Sequence, residues 1–217
     1  MRLSNAINIS LLKSMYVNLK CFGLKGIKLP ILVSRKCRID LHGKVQLARY
    51  STGQVTIGFG GSKGVVENAY SYFGVAAGGT VVFAGKAGIS AGSSVRVDKG
   101  MLRVGKNFST NKNCFIACSE GVTIGNDVTL GWNVNIRDND GHNIIDVKTN
   151  SISESKPVTI GNHVWLCSYV DVLKGAYIAD DNVVAYRSLV TKSFEEKGML
   201  IGGTPAKIIK TGIRWEY

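Results

Sequence analysis

From Ile160 onward every sixth residue is a branched aliphatic: Ile160, Leu166, Val172, Ile178, Val184 and Val190. The residues that follow are Gly161, Cys167, Leu173, Ala179, Ala185 and Thr191, mostly small. The same beat runs through Ile124, Leu130 and Ile136, and more weakly through Phe83, Ile89 and Val95 and through Val104, Thr110 and Ile116. A helix repeats every ~3.6 residues and a strand every ~2, so neither produces a period of six. Six residues do accommodate one short strand and one corner, an inward aliphatic followed by a small residue where the backbone turns. Three such faces close a triangular coil of about eighteen residues, and stacked coils pair through parallel strands into a β-solenoid. Pro is scarce, 3 residues against 26 Gly, as expected where every strand donates to the coil beside it.

The N-terminal part does not join this pattern. Leu11, Leu12, Met15, Leu19 and Phe22 recur at helical spacing, which predicts a short helix whose apolar stripe packs on the solenoid base or on a neighbouring subunit. Docking on a membrane surface is the lesser alternative. An extended link through Leu29-Pro30-Ile31-Leu32 then enters the first irregular coils. The resulting division is an N-terminal helical arm over 1–35, a β-helix domain over 36–194 and a short C-terminal tail over 195–217. Between Ile136 and Val158 the beat stops, which predicts a loop protruding over 137–157. Long loops thrown from a rigid scaffold usually carry function.

The net charge of +12 is uneven. Residues 1–39 carry Arg2, Lys13, Lys20, Lys25, Lys28, Arg35, Lys36 and Arg38 with no acid, which leaves 19 basic and 15 acidic residues, net +4, for the rest. Such an arm is either a solvated surface or an attraction for an anionic partner: a phosphorylated sugar, an acidic glycan or a membrane face. It lacks a recognition-helix, zinc-finger or RNA-binding signature, so nucleic acid is not an expected partner. No run approaches the ~20 apolar residues of a membrane-spanning helix. Five cysteines without a C-x-x-C pair, and an opening that makes a poor signal peptide, predict reduced thiols in a cytoplasmic protein.

Three stretches, Ile160-Gly161-Asn162-His163-Val164-Trp165-Leu166, then Val190-Thr191-Lys192, then Gly203-Thr204-Pro205-Ala206-Lys207-Ile208-Ile209, form an ordered string. It resembles the C-terminal half of the hexapeptide-repeat acyltransferases, and within them the sugar O-acetyltransferases, including those that modify bacterial capsule or lipopolysaccharide. The resemblance covers roughly residues 104–210, and residues 1–80 match only loosely. It implies an all-β fold, a left-handed parallel β-helix, which is an exception to the usual crossover hand. It also implies a homotrimer, acetyl-coenzyme A as co-substrate and no metal.

Transfer of an acetyl group from a thioester to a sugar hydroxyl needs a base for the hydroxyl proton and donors for the oxyanion. Of the three histidines, His42, His142 and His163, only His142 lies in the long loop, and Gly141-His142 matches the family's catalytic position. His163 follows a turn and is expected to point to solvent. Asp138 and Asp140 are candidates to orient the imidazole, or simply belong to a solvated acidic loop. The resemblance places Trp165, Ser168, Tyr186, Thr191, Lys192, Lys207 and Lys210 along the coenzyme A groove, with Trp165 as a wall of the pantetheine channel or else a packing residue. Asn111 matches a position contacting the acceptor sugar, and Ser119 stands where the family has an acid. Gly58-Phe59-Gly60-Gly61-Ser62-Lys63-Gly64 lacks the spacing of a phosphate loop and reads as a turn. Cys114, Cys118 and Cys167 fall in repeat positions and read as packing. The activity expected is O-acetylation of a cell-surface polysaccharide, oligosaccharide or sugar precursor. The alternatives are N-acylation of a nucleotide-linked amino sugar and a non-catalytic scaffold; a carbonic-anhydrase-like centre would need three clustered histidines.

Overall fold

The computed structural model describes residues 8–61 and 69–216. Among these, the strands form three sheets of nine, seven and seven, and consecutive strands of the chain pass from sheet to sheet. The first face begins with Ile31–Val33, the second with Cys37–Leu41 and the third with Lys44–Leu47, after which Val55–Ile57 returns to the first. All pairings within the coils are parallel; the antiparallel exception is Lys207–Lys210 folding back on Leu200–Gly202. The molecule is a three-sided parallel β-helix.

The hexads set this geometry. Ile160 pairs with Ile178, Leu166 with Leu130 and Val184, and Val172 with Val190, so each inward aliphatic stacks on its counterpart one coil away. These side chains, with Phe73, Phe83 and Phe108 nearer the base, are buried in one continuous core. The small residue after each aliphatic has a steric cause at the corner between the third and first faces. A Cβ on Gly105 would lie 2.3 Å from the carbonyl oxygen of Gly125, and one on Gly125 2.4 Å from that of Gly161. At Gly105 and Gly125 the coils touch backbone to backbone and no side chain fits, while the same corner takes Ala84 below and Ala179 above.

Helix α1, Leu11–Phe22, is capped by Ser10 and runs into a 3-10 turn, Gly23–Lys28. Its apolar stripe does not pack on the solenoid base, one of the two surfaces expected for it. Ser14, Val17 and Asn18 face inward, whereas Leu11, Leu12, Met15 and Leu19 are exposed. The reason is the open edge of the first strand. Asn18 donates to the Ile31 carbonyl (2.6 Å) and accepts from the Ile31 amide (3.0 Å), and the Ser14 hydroxyl accepts from the Val33 amide (3.0 Å). Buried backbone groups without partners cost more than exposed leucines do, so polar side chains take the inner face. The sheets also extend past 36–194: Ile31–Val33 lies in the segment read as the arm and Leu200–Gly202 in that read as the tail. In the glycine-rich segment, Gly58, Gly60 and Gly61 turn at positive φ, while Ser62, Lys63 and Gly64 lie outside the described residues.

Candidate functional site

The long insertion leaves the corner between the second and third faces. Val122–Ile124 pairs with Val158–Ile160, so one coil spans both the corner and the loop rising from it after Asn135–Arg137. Asp138 sits at the root with its carboxylate fully buried. It accepts from the amides of Ser119 (2.8 Å), Glu120 (2.8 Å) and Gly121 (2.8 Å) and from the Asn139 side chain (2.9 Å). Charge-assisted bonds of this kind hold a loop root firmly. Asp138 therefore caps the corner beneath it rather than meeting His142. Ser119 is held in the same knot, its hydroxyl 3.2 Å from Asp98 Oδ2.

Asp140 is the second anchor. Lys174, from the next coil, donates to its carboxylate and to Ser153 Oγ, and reaches the Glu154 carbonyl at 3.1 Å. The lysine hydrogen bond, opposed by some desolvation, holds the Asp140 carboxyl below the ordinary carboxylate range. The loop tip is folded by Asp146, whose side chain accepts from the amides of Lys148 and Thr149, and by a bridge between Ile145 and Ile152. Between the two anchors and the tip stands His142, exposed, its imidazole without a hydrogen bond among the described residues. Ile144, Ile145, Val147 and Ile152 are exposed beside it, Val147 by 93%.

A second cluster lies on the corner between the first and second faces. Asn111, Trp132, Ser168 and Tyr186 occupy successive coils of this corner, with the Trp132 amide donating to Ser168 Oγ at 3.1 Å. Tyr169 and Tyr186 meet edge to face at 5.5 Å, and Arg187 lies 5.5 Å from each ring. The indole Nε1 of Trp132 is buried with no hydrogen-bond partner among the described residues. A buried donor of this kind asks for an acceptor from outside the chain.

The candidate donor residues are not gathered on one edge. Trp165 stands within a strand of the first face, between Thr129 and Val183, rather than at a corner, and its ring is outward. Lys207 and Lys210 lie exposed at the end of that face. Thr191 and Lys192 follow Leu189–Val190 and so belong to the corner that carries the His142 loop. His163 does not point freely to solvent: its Nδ1 lies 2.9 Å from Asp181 Oδ1, and Trp215 stacks on it at 4.3 Å. Trp215 donates to the His163 carbonyl (2.9 Å), stands 5.9 Å from Trp165, and lines a depression of about 500 Å³. His42 is exposed against Asp40.

Trp132, Tyr169, Lys174, Arg187 and Trp215 were not singled out by the hexad pattern. The signal for two of them was available in register, since Tyr169 and Arg187 fall on the corner positions held by Asn113 and Asn133 in earlier coils. All five cysteines are free, and burial pushes the thiols of Cys37, Cys114 and Cys118 up to about 12. Among the described residues no group of three His, Cys, Asp or Glu side chains is placed to hold a metal ion.

No family model matches the chain. It is 35% identical over 136 residues, 56% of this chain and 67% of the relative, to an Escherichia coli K12 protein assigned as a lipopolysaccharide biosynthesis O-acetyl transferase. It is 34% identical over 110 residues, 50% of this chain and 53% of the relative, to the galactoside O-acetyltransferase of the same strain. The chain thus spans about half the length of that enzyme. Among solved structures, the polysialic-acid-specific acetyltransferase NeuO superposes with a TM-score of 0.51 at 25% identity, over 84% of this chain and 89% of that one.

Proposed function

The chain belongs to the hexapeptide-repeat acetyltransferase family, built on the left-handed parallel β-helix, and from that premise we propose that it acetylates a sugar hydroxyl from acetyl-coenzyme A with His142 as general base. The acceptor class is a polysaccharide, an oligosaccharide or its sugar precursor. The observation that carries the reading is the His142 loop, an exposed imidazole on a segment fixed at Asp138 and Asp140 to a rigid corner. A base must be held still to take a proton in the transition state, and two buried or paired carboxylates do that without consuming the imidazole.

The corner of Trp132, Ser168 and Tyr186 fits a donor of the coenzyme A type. The orphaned indole N–H suits an amide carbonyl of the pantetheine arm, Tyr186 and Arg187 suit a flat ring, and exposed lysines suit phosphates. When bound, the thioester supplies an activated acyl group. His142 takes the hydroxyl proton as the oxygen attacks the thioester carbon, because a sugar hydroxyl does not ionise near neutral pH and a neutral imidazole accepts its proton; the C–S bond then breaks and the proton passes from His142 to the departing thiolate. The split of the candidate residues over two corners, and the uncovered Ile144, Ile145 and Val147, support a site completed by a neighbouring copy in a homotrimer.

The test is His142→Ala and His142→Asn, with His42→Ala as control, in a thiol-release assay. The two loop variants should lose about 10²–10⁴-fold in kcat with the KM for acetyl-coenzyme A nearly unchanged. Light scattering on the same samples should give three times the 23.4 kDa chain mass. Full activity in a trimeric His142→Ala protein overturns the mechanism, and a stable 23.4 kDa species overturns the assembly.

A further inference from the structure

The base of the prism carries a run of uncovered apolar side chains. The outer side of α1 presents Leu11, Leu12, Met15, Tyr16 and Leu19, and the 3-10 turn continues it with Leu24 and Ile27. Leu12 is 82% exposed and Leu24 84%. Single exposed leucines are ordinary on proteins, but a continuous stripe marks a contact. The stripe is also fixed. Rolling the helix to bury it would break the bonds of Ser14 and Asn18 to Ile31 and Val33 and open the strand edge they close. The apolar side is therefore held outward by the fold itself.

The charge around it selects the occupant. Lys20, Lys25, Lys28 and Arg35 are exposed on or beside the stripe, and residues 1–39 contain no acid. Lys20 lies over the Tyr16 ring at 5.4 Å and Lys25 over Tyr50 at 5.7 Å, so the ammonium groups border the apolar side chains closely. A second copy pairing through this face would bring these cations against their own equivalents, with no carboxylate supplied by residues 1–39. An apolar band with a cationic rim is instead the composition of a helix lying in a membrane interface, where leucines enter the acyl boundary and lysines meet headgroup phosphates. With 12 residues α1 is too short to cross a bilayer, and no described helix is long and apolar enough to do so.

We propose that the base of this prism docks on an anionic lipid surface, with α1 and the 3-10 turn lying in the interface and the coils standing away from it. Co-sedimentation of the full chain with phosphatidylcholine vesicles, with and without about 30% phosphatidylglycerol, reads this directly. Binding should require the anionic lipid and fall about tenfold between low and high salt. Leu12→Glu with Leu19→Glu should abolish it, and Lys25→Glu with Lys28→Glu should reduce it by about tenfold or more. Thermal midpoints of both variants should match the parent, and the lysine pair keeps the test open if the leucine pair folds poorly. The proposal is overturned by a chain that stays in the supernatant with anionic vesicles or binds neutral vesicles equally well. Self-association that the leucine variant dissolves would overturn it too, by assigning the stripe to a second copy.

Discussion

Replacing Asp138 by Ala separates a structural carboxylate from a catalytic one. In the folded chain the side chain takes the amides of Ser119, Glu120 and Gly121 and the Asn139 amide group, all within 3.0 Å, with no exposure to solvent. Its loss leaves three backbone donors without an acceptor. Each costs ~1–3 kcal/mol if it stays dry. Ser119 and Gly121 are half-buried and Glu120 exposed, so water reaches part of the corner and the lower end of that range applies. The expected loss is about 3 kcal/mol, which for a chain of this size lowers the melting midpoint by about 6–12 °C. Asp138→Asn retains one acceptor but aims an NH2 at the remaining amides, and should fall between the parent and Ala. The assay is thermal unfolding at one fixed protomer concentration, because assembly contributes to the midpoint. A Asp138→Ala protein that melts within about 1 °C of the parent while kcat drops ~10²-fold or more would refute this reasoning and return Asp138 to a role in orienting His142.

Lys174→Ala should release Asp140 and Ser153 and raise tryptic cleavage at Lys148 or Lys156 several-fold, with little change in the global midpoint. In the parent the Asp140 carboxyl is held below its unfolded value of about 3.9, so the clasp is intact above that pH and is lost as pH falls through the folded value; pepsin should cut the loop only under those acid conditions. Arg187→Asn should raise the midpoint by about 2 °C while raising the KM for acetyl-coenzyme A, read by a melt and a thiol-release titration. Because burial pushes Cys37, Cys114 and Cys118 up to about 12, iodoacetamide at pH 8 should leave these three unmodified in the native protein and label them only after unfolding, as mass spectrometry will report.

The coils were legible because every turn repeats the same demand, an inward aliphatic and then a residue small enough for the next backbone, and Ile160 through Val190 state it six times over. The direction of α1 was not. Spacing groups Leu11, Leu12, Met15 and Leu19 on one side but says nothing of what that side meets, and the strand edge at Ile31 and Val33 claimed Ser14 and Asn18 instead. The loop histidine was visible as an interruption of the beat. Its carboxylate neighbours were misread because the partners of Asp138 come from Ser119 to Gly121, a coil away, and that of Asp140 from Lys174. Proximity in sequence placed both acids beside His142, while tertiary contacts took their charges elsewhere.

The corners hold a further regularity that bears on where the donor is bound. Asn107, Asp127, His163 and Asp181 form one column in the left-handed region of φ, and Asn113, Asn133, Tyr169 and Arg187 form another. That conformation costs an ordinary side chain ~1–2 kcal/mol and costs Asn and Asp less, because their short polar groups bond locally. The lower coils obey this preference. Tyr169 and Arg187 depart from it, both in the upper coils, and each supports a planar contact there: Tyr169 against Tyr186, and Arg187 over both tyrosines; His163, a residue type this region accepts, stacks under Trp215. Leu29, after the 3-10 turn at the base, takes the same conformation, so strain is not confined to one end; at the coil corners it needs a return from something other than folding. The aromatic and guanidinium planes at these corners, beside the orphaned Trp132 N–H, are the groups a donor with a flat base and an amide arm would use. The fold therefore tolerates its least favourable corners in the same coils whose surfaces carry the candidate donor groove.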